Sequence, residues 1–134
     1  MDSEFVIDGK RIVSLDAFFD EFGRVALSGA RWGRNLNAFN DVLRGGFGTP
    51  DEGFTLRWSN SEASREMLGY PETARQLEIA LERCHPDNRD DLRRQLSDAS
   101  AGTGPTIFDW LIEIIQIHGT GGEEAEDNVR LILD

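Results

Sequence analysis

Three short apolar runs, Glu4-Phe5-Val6-Ile7, Phe54-Thr55-Leu56-Arg57-Trp58 and Val129-Arg130-Leu131-Ile132-Leu133, read as strands, and long stretches of helical periodicity separate them. Strands so far apart are not joined by tight hairpins. Parallel pairing needs a crossover of about a dozen or more residues, which helices commonly supply. The expected fold class is therefore α/β, a small three-stranded parallel sheet packed with helices. At 134 residues the chain is read as one domain over 1–134, long enough to bury roughly two-thirds of its unfolded surface.

Between the strands the period changes repeatedly. Asp8-Gly9 is a turn signal ahead of Arg11-Ile12-Val13. Ser14 caps a helix expected through about Leu27, with Leu15, Phe18, Phe19 and Phe22 as the buried stripe and Asp16, Asp20 and Glu21 on the wet side. Ser28-Gly29-Ala30 breaks it. Ser59 or Ser61 is expected to cap a short helix over 62–68. A third amphipathic stretch runs from Pro71 to about Cys84 with Ala74, Leu77, Ala80 and Leu81 inward, and a shorter helix follows Pro86 through Leu92 and Leu96 to Ser97. The run 106–117, with Phe108, Leu111, Ile112, Ile114 and Ile115, predicts a buried helix, and its β-branched residues keep a strand as the rival. Gly119 to Gly122 ends it, and an acidic turn over 123–127 precedes the last strand.

The stretch 31–50 predicts a helix with two unlike faces over 35–45. Leu36, Phe39, Val42 and Leu43 fall on one side, and Asn37, Asn40, Asp41 and Arg44 fall on another. Asn35 after Gly33 is the cap candidate, and Gly45-Gly46 is the stop. One face suits a core and the other suits a partner. Trp32, in the approach, is a candidate contact, although Trp32, Trp58 and Trp110 are all expected to be core or half-buried.

A net charge of −11 opposes binding to nucleic acid or an anionic membrane and favours a basic partner. No run approaches the roughly 20 apolar residues that span a bilayer. The N-terminus lacks the basic flank and apolar core of a signal peptide, and the lone Cys84 excludes an internal disulfide. The expected location is the cytoplasm.

Catalytic constellations are weak. Cys84-His85-Pro86-Asp87 gathers thiol, imidazole and carboxylate, but nucleophilic pairs are assembled from facing segments, and here Pro86 divides two helices, so that His85 and Asp87 read as helix-end signals. His118 reads as a partner of a helix C-terminus. His85, His118 and Cys84 show no metal-ligand spacing, and the glycines at 45–48 and 119–122 lack the elements of a phosphate loop or dinucleotide fingerprint. No catalytic residue, metal or cofactor is expected.

The segment Trp32-Gly33-Arg34-Asn35-Leu36-Asn37-Ala38-Phe39-Asn40-Asp41-Val42-Leu43 resembles the signature helix of the barstar family of ribonuclease inhibitors. The Val6-Ile7-Asp8-Gly9 strand and turn, Leu56-Arg57-Trp58, and the apolar helix leading to the terminal strand resemble the family's flanking elements. The resemblance covers about 4–68 and 106–134, with 69–105 expected to be a helical insertion. It implies a three-stranded parallel sheet, no catalysis, and an intracellular immunity protein that binds a small basic guanyl-specific ribonuclease one to one. The helix at 35–45 would enter the enzyme's active site with Asp41 in the place of a substrate phosphate. Asn37, Asn40, Arg44, Arg31, Trp32, Gly33 and Asn35 would surround it.

This chain departs from the family pattern at Arg31, Asn37, Asn40 and Arg44, where the family usually has an aromatic, an acid, another aromatic and a small hydroxyl residue. Three arginines and one aspartate between Arg31 and Gly45 make the helix locally positive. Glu123, Glu124, Glu126 and Asp127, at the end of the last helix, are candidates to restore negative charge beside it. The alternative is an adaptor of the same fold with a partner that is not a ribonuclease.

Overall fold

The computed structural model describes residues 3–29, 31–45, 49–50 and 52–134. Three strands, β1 (Ser3–Asp8), β2 (Phe54–Ser59) and β3 (Val129–Leu133), form one sheet in the order β1-β2-β3, with both pairings parallel. Six helices accompany them: α1 (Leu15–Ala26), α2 (Leu36–Val42), α3 (Ser61–Met67), α4 (Tyr70–Arg83), α5 (Arg89–Ser100) and α6 (Ile107–Ile117). The α/β class and the parallel sheet are as the spacing of the strands requires. The 106–117 run is helical because Thr106 and Asp109 form a reciprocal capping box that starts it.

Register places Ile7, Trp58 and Leu133 in one row and Phe5, Leu56 and Leu131 in the next. One face of the sheet is the floor of the core, where Ile7, Leu56 and Trp58 are fully buried. Above it Phe18 of α1 meets Phe39 of α2 edge to face at 5.1 Å and Trp58 at 5.2 Å, and Trp58 in turn meets Phe108 of α6 at 5.1 Å. Ring contacts in such geometry add to the burial of a large apolar surface. The other face carries Val6 and Arg57, whose guanidinium bridges Glu4 at 2.6 Å and Asp134 at 2.8 Å across all three strands.

One polar residue of α1 turns inward against the amphipathic reading. Glu21, expected on the wet side of α1, is buried, because its carboxylate accepts the Asp8 N–H at the end of β1 (2.8 Å) and pairs with Arg24. A backbone donor left by a strand end is thereby satisfied. The cap of α3 is neither Ser59 nor Ser61 but Asn60, in the left-handed region at φ +54 with no side-chain cap bond. The Ser61 hydroxyl is committed instead to the carbonyl of Asp134.

The helices α4 and α5 pack on each other and join the core through two long-range bonds. The Thr73 hydroxyl accepts the Ile107 N–H at 2.9 Å, and the buried Glu72 carboxylate accepts the Leu15 N–H at 2.8 Å, closing the first turn of α1. Burial pushes the Glu72 carboxyl up, but bonds from Arg75, the Leu15 N–H and Gln76 outweigh it and hold the group below its ordinary value. Its stabilisation is present above the unfolded-state value of about 4.3 and is lost as pH falls through the depressed folded value. Glu72→Gln is expected to lower stability at neutral pH by about 1–2 kcal/mol and to flatten the fall in urea midpoint on acidification. A titration of that midpoint from pH 6 downward checks both.

Candidate protein-contact face

The helix at the centre of the site is short and braced at both ends. Asn35 caps it as expected, its Oδ1 accepting the Ala38 N–H at 2.8 Å while its Nδ2 reaches the Gly33 carbonyl at 3.2 Å. Gly33 packs so tightly on this turn that a β-carbon there would stand 2.7 Å from that of Ala38. Arg34, just before the cap, is left-handed at φ +51 and is held by a 2.5 Å ion pair from its guanidinium to Asp20 of α1. Helical structure stops at Val42 rather than 45. The Val42 carbonyl accepts both the Gly45 N–H and the buried Thr49 hydroxyl (2.6 Å), which closes the last turn. Gly46 and the rest of the expected glycine stop, with Phe47 and Gly48, lie outside the described residues.

The two faces are those the periodicity predicts. Phe39, Val42 and Leu43 are buried, with Leu36 partly buried beside them, while Asn37 and Asp41 are exposed. Trp32 is half-buried, its ring edge-on to Phe19 at 5.5 Å. That contact anchors the approach to α2 on α1. Arg31 is exposed and has no ion-pair partner among the described residues.

The acidic turn lies against the same helix. Its four carboxylates divide into two pairs: Glu123 and Glu126 are exposed, while Glu124 and Asp127 turn inward. Arg44 reaches Glu124 at 2.7 Å and Asp41 at only 3.6 Å. The Glu124 hydrogen bond is the main reason the Arg44 guanidinium is held above its ordinary pKa. Asp127 bonds Nδ1 of His118, whose Nε2 meets the Asn40 side-chain oxygen, each at 2.7 Å.

The local positive charge inferred from composition is therefore largely cancelled. Arg34 is taken up by Asp20, and Arg44 by Glu124 with Asp41 behind it. Arg44 is drawn off the contact helix toward the turn, which leaves the Asp41 side chain 57% exposed. His118, read from sequence only as a helix-end residue, is fully buried and joins the helix to the turn. Seventy-eight residues separate it from Asn40, and no spacing rule connects them.

The Cys84–His85 cluster serves helix ends. The Cys84 thiol donates to the Leu81 carbonyl, and His85 Nδ1 accepts the Asp87 N–H in the 3-10 turn Pro86–Asn88. Among the described residues no helix is long and apolar enough to cross a membrane.

A search of the curated proteins returned no match. The family model described as Barstar (barnase inhibitor) matches residues 3–97, a span that takes in β1, α2, β2 and most of the 69–105 segment. The match covers more than half of the chain, and the three-stranded parallel sheet agrees with the fold that the signature helix implied. The chain belongs to the barstar (barnase inhibitor) family, whose members are non-enzymatic inhibitors, and it is accordingly an inhibitor of a barnase-type ribonuclease.

Proposed function

We propose that this chain is a cytoplasmic immunity protein that binds a small basic guanyl-specific ribonuclease one to one and closes its active site with the helix at 35–45. Asp41 is the principal anchor, standing where a substrate phosphate would meet the enzyme's cations. Asn37, Arg31, Trp32 and Gly33 border it on the approach side. Glu123 and Glu126 supply the second, acidic flank, and the acidic body steers the basic enzyme to the face.

The observation that carries this reading is the exposure of Asp41 beside an arginine that prefers another carboxylate. A carboxylate paired this loosely makes charge-assisted bonds once cations surround it and water is excluded. Asn40 and Arg44 depart from the family pattern because they are engaged within the chain, to His118 and Glu124. Their altered identity therefore does not call for a different class of partner. The α4–α5 hairpin braces the scaffold through Glu72 and Thr73 and takes no part in the contact.

Titration of a barnase-type ribonuclease with the wild-type chain is expected to abolish cleavage at one equivalent. Asp41→Ala is expected to weaken inhibition by about 10- to 100-fold, the worth of one charged hydrogen-bonded anchor. Asp98→Ala, on the exposed side of α5, should leave inhibition unchanged. Equal effects of the two substitutions would remove Asp41 from the contact.

A further inference from the structure

His118 is fully buried, and its backbone fixes where the ring sits. Its N–H donates to the Ile115 carbonyl at 3.1 Å, closing α6, and its carbonyl accepts the Val129 N–H at 2.9 Å, opening β3. The ring then faces three oxygen atoms. Nδ1 lies 2.7 Å from Asp127 Oδ2 and 3.5 Å from Glu124 Oε2, and Nε2 lies 2.7 Å from Asn40 Oδ1.

Neutral imidazole has one N–H and one lone pair, so it can donate to only one of these partners, and the other nitrogen would press its lone pair against an oxygen. An imidazolium donates to both. The charges around it are consistent with that state: Glu124 and Asp127 come from the turn, and Arg44 and Asp41 stand behind them on the contact-helix side. With the ring charged, two cations face three carboxylates, whereas a neutral ring would leave Arg44 alone against all three.

We propose that His118, as a buried imidazolium, is a positioning residue for inhibition, clamping Asn40 to the acidic turn so that the neighbouring Asp41 and the exposed Glu123 and Glu126 form one rigid contact surface. The proposal rests on the reading that α2 faces the ribonuclease. It assigns His118 a role without contact to the enzyme. The ring's proton is what joins the two elements, because one of the two bonds is lost on deprotonation. The clamp is therefore complete while both ring nitrogens carry protons and opens when one of them is removed.

Two measurements test this. In the free wild-type protein, nitrogen-15 spectra of the imidazole are expected to show both ring nitrogens protonated in mildly acidic solution. The backbone amides of residues 37–44 should shift when the ring loses one of these protons. A ring carrying one proton throughout, with the Asn40 amide nitrogen donating to it, overturns the proposal whether or not any ribonuclease binds.

The second measurement is affinity for a barnase-type ribonuclease between about pH 5 and pH 8 for the wild type and His118→Gln, expressed as their ratio so that titrations of the enzyme cancel. The wild type is expected to bind about five- to tenfold more tightly at the acidic end, the worth of about one hydrogen bond, and the ratio should approach one as pH rises. A ratio constant with pH overturns the clamp. Loss of binding by Asp41→Ala with no pH trend in the ratio would retain the contact helix and reject His118. Absence of binding by the wild type itself would reject the ribonuclease reading and leave the spectroscopic result to decide the clamp.

Discussion

Phe18→Ala is expected to destabilise the protein by about 3–5 kcal/mol, the cost of removing a fully buried aromatic ring whose space cannot be refilled. Phe18 is the ring where three elements meet. Its centroid lies 6.2 Å from Phe22 and 5.9 Å from Phe19 within α1, 5.1 Å from Phe39 of α2, and 5.2 Å from Trp58 of β2. Truncation leaves Phe39 without the ring it stands against. The apparent melting temperature should fall by about 10–20 °C for a chain of this size. Affinity for the ribonuclease should weaken as well, because α2 has only seven residues and depends on Phe39, Val42 and Leu43 for its seat. Phe18→Leu keeps most of the volume and is expected to cost less, about 1–1.5 kcal/mol. Calorimetry of both variants checks the ordering, and equal losses would show that filled volume carries little of the effect and ring contacts most of it.

Gly53→Ala is the second large effect, and it acts at the junction of scaffold and site. Gly53 has φ +100, and a β-carbon there would lie 2.3 Å from the Asn128 carbonyl oxygen and 2.8 Å from that of Asp127. Both obstacles are backbone, so no rotamer relieves them. Positive φ costs an L-residue roughly 1–2 kcal/mol, and forced displacement in a packed site adds about 1–3 kcal/mol. The residues displaced are those that lead from the acidic turn into β3, where Phe54 pairs with Val129. Loss of stability should therefore be accompanied by loss of inhibition. Gly102→Ala is the control, since it shares a positive φ of +76 but has nothing within 4 Å. It should show the strain alone, and a Gly53→Ala variant no worse than Gly102→Ala in urea unfolding would count against the close approach.

The sheet and the contact helix were legible because each is written in a local pattern. Strands separated by helical crossovers have few alternatives to parallel pairing, and the apolar positions 36, 39, 42 and 43 mark a helix seam whatever lies beneath it. Caps were readable where a side chain serves its own helix, as Ser14 and Asn35 do. They were misread where it serves another segment. Ser61 is spent on Asp134, and Glu21, read onto the wet side of α1, satisfies the Asp8 N–H at a sequence separation of 13. The same limit applies to the site. Charge counting made α2 positive because the acids that neutralise it, Asp20 and Glu124, belong to other elements.

The two parts of the proposed contact surface are made at very different times. A ribosome has delivered all of α2 when residue 45 is joined, but His118, Glu124 and Asp127 come more than seventy positions later, directly ahead of the strand that completes the sheet. Pairing of β3 with β2 joins Phe54 to Val129, a contact of the long sequence separation that slows folding. A chain lacking its final third has the helix but neither its polar clamp nor the flank beside it. Inhibition through this face is thus expected to require β3: removal of Val129–Leu133 should leave Asp41 on a helix without the acidic turn that braces it.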